Sequence, residues 1–213
     1  MPSTSKNRPP PRKSPTQARS VETVGIIIEA AARILETDAH SGFSTNAVAG
    51  KAGVSIGTLY QYFPDKNAIL GALIARETTQ FLSRASTALD QPLAKDALTV
   101  LIAAAIEHQF KRPKLARILD FEEARLPFDV ATQNVNERVG EIAMQIIGRL
   151  DFPILVDVRI AARDVIAVIK GIVDASGSDA DVEPAAVERR VKRAVFGYLS
   201  LDDGAQLLRP DQH

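Results

Sequence analysis

The sequence predicts an all-α chain, with a small three-helix unit at the N-terminus and a larger helical unit after it. Three observations predict this. Apolar residues recur three and four positions apart along most of the chain, the spacing of one helix face. Nowhere do apolar and polar residues alternate as they do in a half-buried strand. Prolines at 64, 92, 113, 127, 153 and 184 break the helical pattern into segments of ordinary helix length. With 213 residues, 46% of them hydrophobic, the chain has enough apolar material for packed cores, which excludes a wholly disordered protein.

Residues 1–20 are rich in Pro, Ser, Lys and Arg, with no acid and, after Met1, no large apolar side chain. They read as a disordered basic arm, either lying along phosphates or serving as a solubilising tail. Val24, Ile27, Ile28, Ala31, Ile34 and Leu35 then mark a first helix over about Val21–Thr37. His40, Ser41 and Gly42 make the connecting loop, with His40 read as solvated.

The stretch from Phe43 to Lys66 organises the rest. Thr45 is expected to cap a short helix on which Val48, Ala49 and Ala52 share a face. Gly53 stands where the chain must turn, because a residue without Cβ takes positive φ freely. Ser55 is expected to cap a second helix over Ile56–Tyr62, which Pro64 forbids from continuing. Leu59 and Phe63 point inward, leaving Thr58, Tyr60, Gln61 and Tyr62 outward. A very short helix displaying hydrogen-bonding side chains fits a helix-turn-helix whose second helix enters a DNA major groove.

Those residues carry a resemblance. Thr45, Val48-Ala49, Ala52-Gly53-Val54-Ser55, Gly57-Thr58-Leu59-Tyr60, Tyr62-Phe63 and Lys66 closely resemble the N-terminal domain of TetR-family (tetracycline-repressor-like) transcriptional regulators. The likeness is dense from Val24 to Leu73; family sequences often have Ile where this chain has Val48. Thr45, Ser55, Tyr60, Tyr62 and Lys66 suit phosphate contacts, since hydroxyls and a lysine make a sequence-independent clamp. Asn46, Gly57, Thr58 and Gln61 suit the base-facing set, with Gln bidentate to adenine, Gly57 allowing close backbone approach, and Ile56 against a thymine methyl. Double-stranded operator DNA is the expected partner.

After Pro64 a long helix is expected from Lys66 to about Leu89, one able to transmit a signal from the rest of the chain. Leu98, Leu101, Ile102, Ala105, Ile106 and Phe110 mark the next, over Leu93–Lys111. Further helices follow over Leu115–Arg125 and along Val135, Val139, Ile142, Ile146 and Leu150. Ile102, Ile106, Phe110, Phe121, Phe128 and Met144 are candidates to line an apolar pocket, or equally to form ordinary core. The family resemblance implies a ligand cavity in this region, for an apolar or aromatic effector not yet identified. Glu107, His108, Asp120, Glu122 and Glu123 could supply metal ligands or bind a cationic effector, but such residues are more often a solvated face, and they are read so. No phosphate-binding glycine loop, zinc-histidine pair or nucleophile elbow occurs, so no catalytic residues, metal or cofactor are expected and the chain is not read as an enzyme.

Over about 156–175, Ala161, Val165, Val168, Ile169 and Ile172 share one face, with Ala162, Ile166 and Val173 on the adjacent one. After Pro184, Val187, Val191, Ala194, Val195 and Tyr198 make a last stripe. So much apolar surface on two antiparallel helices suggests a two-fold four-helix interface with a second copy, and the resemblance implies the same. Val165, Ile169, Ile172, Val187, Val191, Val195 and Tyr198 are the interface candidates. The expected organisation is an arm over 1–20, a DNA-binding domain over 21–66, an effector and dimerisation domain over 67–202, and a tail over 203–213.

The formal net charge is zero, but its distribution is uneven. Residues 1–66 hold eight bases and five acids, a net charge of +3, against −3 for residues 67–213. A basic N-terminal part on an acidic body is the footprint of a nucleic-acid binder. The absence of Cys, of a signal-peptide core and of any membrane-length apolar run leads to the expectation of a cytoplasmic protein. Two functions remain. One is a dimeric regulator, in this family most often a repressor, released from a palindromic operator by an effector. The other is a regulator or architectural protein governed by a protein partner.

Overall fold

In the computed structural model the described residues are 15–38, 41–125, 130–149, 157–177 and 182–200. Among them the regular structure is helical, without strands, and the chain divides into two compact units that part between Leu73 and Ile74.

The first unit holds α1 (Pro15–Asp38), α2 (Thr45–Ala52), α3 (Ile56–Tyr62) and the start of α4 (Lys66–Ser86). α1 begins at Pro15 rather than at Val21. Proline fixes φ near the helical value and lacks an amide that a first turn would leave unpaired, so it starts a helix well. The expected arm is therefore helical from Pro15 onward; its residues 1–14, like His40, lie outside the described residues. Ile27, Ile28, Ala31, Ile34 and Leu35 are buried, as their spacing predicts.

The turn between α2 and α3 is built by capping. Ser44, not Thr45, caps α2: its backbone is extended (φ −142°, ψ 158°) and its Oγ accepts the Ala47 N–H at 3.2 Å. Buried Phe43 and Val48 occupy the two positions of a hydrophobic staple, and that anchoring sets the frame one residue earlier than the sequence suggests. Thr45 becomes the first helical residue, with its hydroxyl released from capping. At the other end Gly53 has φ +69°; its N–H bonds Gly50 O at 3.2 Å, and Val54 N–H bonds Ala49 O at 3.1 Å. Those two bonds form a Schellman motif, which satisfies carbonyls the helix end would otherwise orphan. Ser55 then caps α3 as expected, accepting the Thr58 N–H at 3.0 Å.

The second unit holds the rest of α4, a 3-10 turn (Thr87–Asp90), α5 (Ala94–Lys111), α6 (Pro113–Arg125), α7 (Val130–Ile147), α8 (Val158–Gly177) and α9 (Pro184–Ser200). The long helix expected to reach Leu89 ends at Ser86 and tightens into the 3-10 turn, a common way to finish a helix. α5, α7, α8 and α9 build the core from residues such as Leu98, Ile102, Ile146, Val165, Val191 and Val195.

That core takes most of the stripe expected to meet a second copy. Val165, Val187, Val191 and Val195 have 0% exposure and Ile169 has 5%, all within one chain, because α8 and α9 pack on each other and on α5. Ile172 is half-buried against the same core, and Tyr198 donates its hydroxyl to Asp164 Oδ2 at 2.8 Å. With two adjacent apolar faces on α8, periodicity cannot distinguish the face its own chain uses from one left for a partner.

Candidate nucleic-acid interface and ligand cavity

α3 separates its side chains by face. Leu59 is fully buried and Phe63, just past the helix, is buried beside it in the sequence pattern, while Tyr60 is 52% and Ile56 38% exposed. All ten residues singled out for DNA keep accessible surface: Asn46, Ser55, Ile56, Gly57, Tyr60, Gln61 and Lys66 are exposed, and Thr45, Thr58 and Tyr62 are half-buried. Two hydroxyl pairs tie this surface together. Thr45 Oγ1 lies 3.2 Å from Tyr60 Oη, joining α2 to α3. Ser55 Oγ lies 2.8 Å from Thr58 Oγ1. Each pair fixes two side chains that would otherwise sample several rotamers, so less entropy is lost when a partner binds them. A Cβ at Gly57 would meet only Ser55 Oγ, at 3.8 Å, so the protein itself does not require glycine there. Asp65 Oδ1 accepts the Ala68 N–H at 2.8 Å, capping α4 immediately before Lys66.

The second unit contains a cavity of about 670 Å³. α4 contributes Thr78 and Phe81; α5 contributes Leu101, Ala105, His108 and Gln109; α6 contributes Asp120. α7 adds Val139, Gly140 and Met144, with Val135 and Asn136, and α8 adds a stripe from Arg159 to Asp174. Of the six residues named from sequence, Met144 lines it. Ile102 and Ile106 are buried in the core and Phe110 packs against that core. Phe121 is 63% exposed, and Phe128 lies outside the described residues. The physical reason on α5 is rotation: Ile102 and Ile106 sit one residue, hence about 100°, from Leu101 and Ala105, which face the cavity. On α8 it is the second apolar face, Ala162, Ile166 and Val173, that lines the space.

His108 and Asp120, read as solvated, belong to the cavity wall, and Glu122 is buried at 2% exposure; only Glu107 of that group is exposed among residues whose side chains are described. Burial holds the His108 imidazole below its ordinary pKa, against the opposing pull of Asp120 and Glu77, and its ring lies 5.3 Å from that of Phe81. Burial likewise raises the Asp120 carboxyl, opposed by Lys170, His108 and a hydrogen bond with Gln109. Lys170 Nζ pairs with Asp174 Oδ2 at 3.0 Å. An apolar space with a few convergent polar groups is the ordinary make-up of a small-molecule site. A signal was present in the sequence: charged residues recurring within the apolar pattern of α8 at 159, 163, 170 and 174. Among the described residues no group of three or more metal-ligating side chains occurs, and no helix is long and apolar enough to cross a membrane.

Residues 27–73 match the model for bacterial regulatory proteins of the tetR family. No curated protein sequence matches the chain. Among solved structures, a TetR-like transcriptional regulator from Rhodococcus sp. RHA1 superposes with a TM-score of 0.69 at 19% identity, over 84% of this chain and 97% of that one. The regulator FadR from Bacillus subtilis, solved in complex with stearoyl-CoA, gives 0.66 at 23% identity over 82% and 98%. NalD, the secondary repressor of the MexAB-OprM multidrug efflux pump in Pseudomonas aeruginosa, gives 0.59 at 22% over 85% and 98%. Residues 27–73 are thus a helix-turn-helix domain of the tetR-family type, and the fold of the chain is similar to that of solved TetR-like regulators.

Proposed function

We propose that the chain is a repressor that binds a palindromic operator as a two-fold dimer and is released by a small effector held in the second unit. The observation that carries this reading is the cavity of about 670 Å³, within the 300–1,000 Å³ common for small-molecule sites. Its wall includes Thr78 and Phe81 of α4, the helix that begins at Lys66. A ligand that shifts α4 acts on the same helix that carries a proposed phosphate contact, whereas control by a protein partner gives such a cavity no role. FadR of Bacillus subtilis, similar in fold, was solved with stearoyl-CoA, which supports a ligand with an apolar chain.

On the DNA, Thr45, Ser55, Tyr60, Tyr62 and Lys66 hold phosphates, and Asn46, Ile56, Gly57, Thr58 and Gln61 face bases. The dimer forms through the outward faces of α8 and α9; on α8, Ile160, Ala167, Gly171 and Ala175 keep accessible surface after the inward stripe has been used. Small residues there let two helix pairs approach closely.

Selection from random duplexes should recover a two-fold symmetric site. On it, Lys66→Ala should weaken all sequences alike and lower the slope of log affinity against log salt by about one. Gln61→Ala should cost roughly 1–3 kcal/mol on the best site and relax one base position. Equal losses on good and poor sites for Gln61→Ala would remove it from the base-reading set.

A further inference from the structure

We infer that the ligand of the cavity is an amphipathic anion, an apolar body carrying one carboxylate or similar oxyanion, bound by Arg159 and Arg163. This inference rests on the reading of the cavity as an effector site and adds the chemical class of the effector. α8 presents one continuous stripe to the cavity, from Arg159 through Ile166 and Ile169 to Asp174, so the lined wall is about 22 Å long at 1.5 Å per residue. Its two ends differ in charge balance. At the C-terminal end the acids outnumber the bases: Asp174 pairs with Lys170 at 3.0 Å, and Asp120, hydrogen-bonded with Gln109, lies near the same lysine, so that two carboxylates share one cation.

At the N-terminal end the cations are not matched among the described residues. Among the described residues Arg159 has no carboxylate partner. Among them Arg163 has only Asp164, at 3.7 Å between side chains 77% and 39% exposed, a pairing worth little in solvent. Arg159 and Arg163 are four apart and therefore neighbours on one helix face. Both are exposed, which sets them at the mouth, whereas Leu101 and Ile169 are buried at the floor. Two guanidinium groups one turn apart offer several N–H donors to a planar oxyanion, the geometry for which arginine is best suited. A ligand with its acid at the mouth and its apolar body along Leu101, Met144 and Ile166 uses both features. A cationic ligand would face two like charges, and a neutral one would leave the arginines unused.

The test titrates the intact protein by calorimetry with dodecanoate and 2-naphthoate, each beside its alcohol and amine counterpart. At least one acid should bind tenfold or more tightly than its alcohol. Arg159→Gln/Arg163→Gln should reduce acid binding about tenfold and leave the alcohol unchanged, and since both side chains are exposed the variant should fold. Acids no tighter than alcohols, a preference for amines, no binding by either acid, or an acid affinity indifferent to the double substitution would each overturn the inference. Operator release is measured in parallel. Acids that bind without releasing DNA count against the regulatory reading while keeping the ligand class; release by alcohols or amines alone does the reverse.

Discussion

The helix-turn-helix and the α5–α9 bundle are both helical, yet they are specified in different ways. In the first, single residues with local rules fix the geometry: Ser44 and Ser55 cap, Gly53 turns, and Leu59 and Phe63 anchor. The side chains proposed to meet DNA then have only one place to be, outward. In the second, the helices follow from periodicity, but the use of each face follows from which neighbours arrive. α8 illustrates this: one apolar face joins the core with Val165, and the adjacent one, with Ile166, lines the cavity. Local chemistry determines a small motif, whereas tertiary competition determines a bundle.

The largest effect that can break this comparison concerns the inward stripe. Val191 is fully buried within its own chain. Val191→Asp would bury an unpaired carboxylate, a cost of several kcal/mol or more that a domain of ordinary stability does not survive. Circular dichroism should show loss of helix in the second unit at every protein concentration. A folded monomer that has lost only its dimer would mean that the stripe does face a partner.

Next comes a contrast between two glycines. Gly53→Ala should destabilise by about 1–2 kcal/mol, because its left-handed backbone strains any residue with a Cβ even though the space around it is open. Gly57→Ala should instead raise stability by up to ~1 kcal/mol, the usual helix preference for alanine, while weakening DNA binding. If Gly57→Ala left operator affinity intact, DNA would not approach α3 at that point.

A smaller effect sharpens the capping argument. Ser44→Ala should cost about 1 kcal/mol in a denaturation experiment, whereas Thr45→Ala should cost a few tenths. The reverse order would restore Thr45 as the cap.

How much was legible follows from the same contrast. The all-helical fold, the helix-turn-helix and the outward set on α3 were readable because caps, a glycine and Pro64 act within a few residues of themselves. The Ser44 frame was missed because it depends on Phe43 being buried, a tertiary fact. The Pro15 start was missed because a basic, proline-rich composition hides residues that are acceptable in a helix. In the bundle the helices were readable, but Ile102 and Ile106 stayed open between pocket and core, since a rotation of one residue decides between the two; they face the core. His108 and Asp120 lie on the wall of the cavity because α5 and α6 turn those faces toward it, which a single sequence does not encode locally.

The central claim is that ligand and operator compete through α4. Its most direct test measures reciprocity: operator affinity with and without a cavity ligand, and ligand affinity with and without operator, at one salt concentration. A 100-fold loss of operator affinity should be mirrored by a 100-fold loss of ligand affinity on DNA-bound protein, about 2.7 kcal/mol of coupling read from either side. Ligand affinity that is the same on free and operator-bound protein would contradict the account.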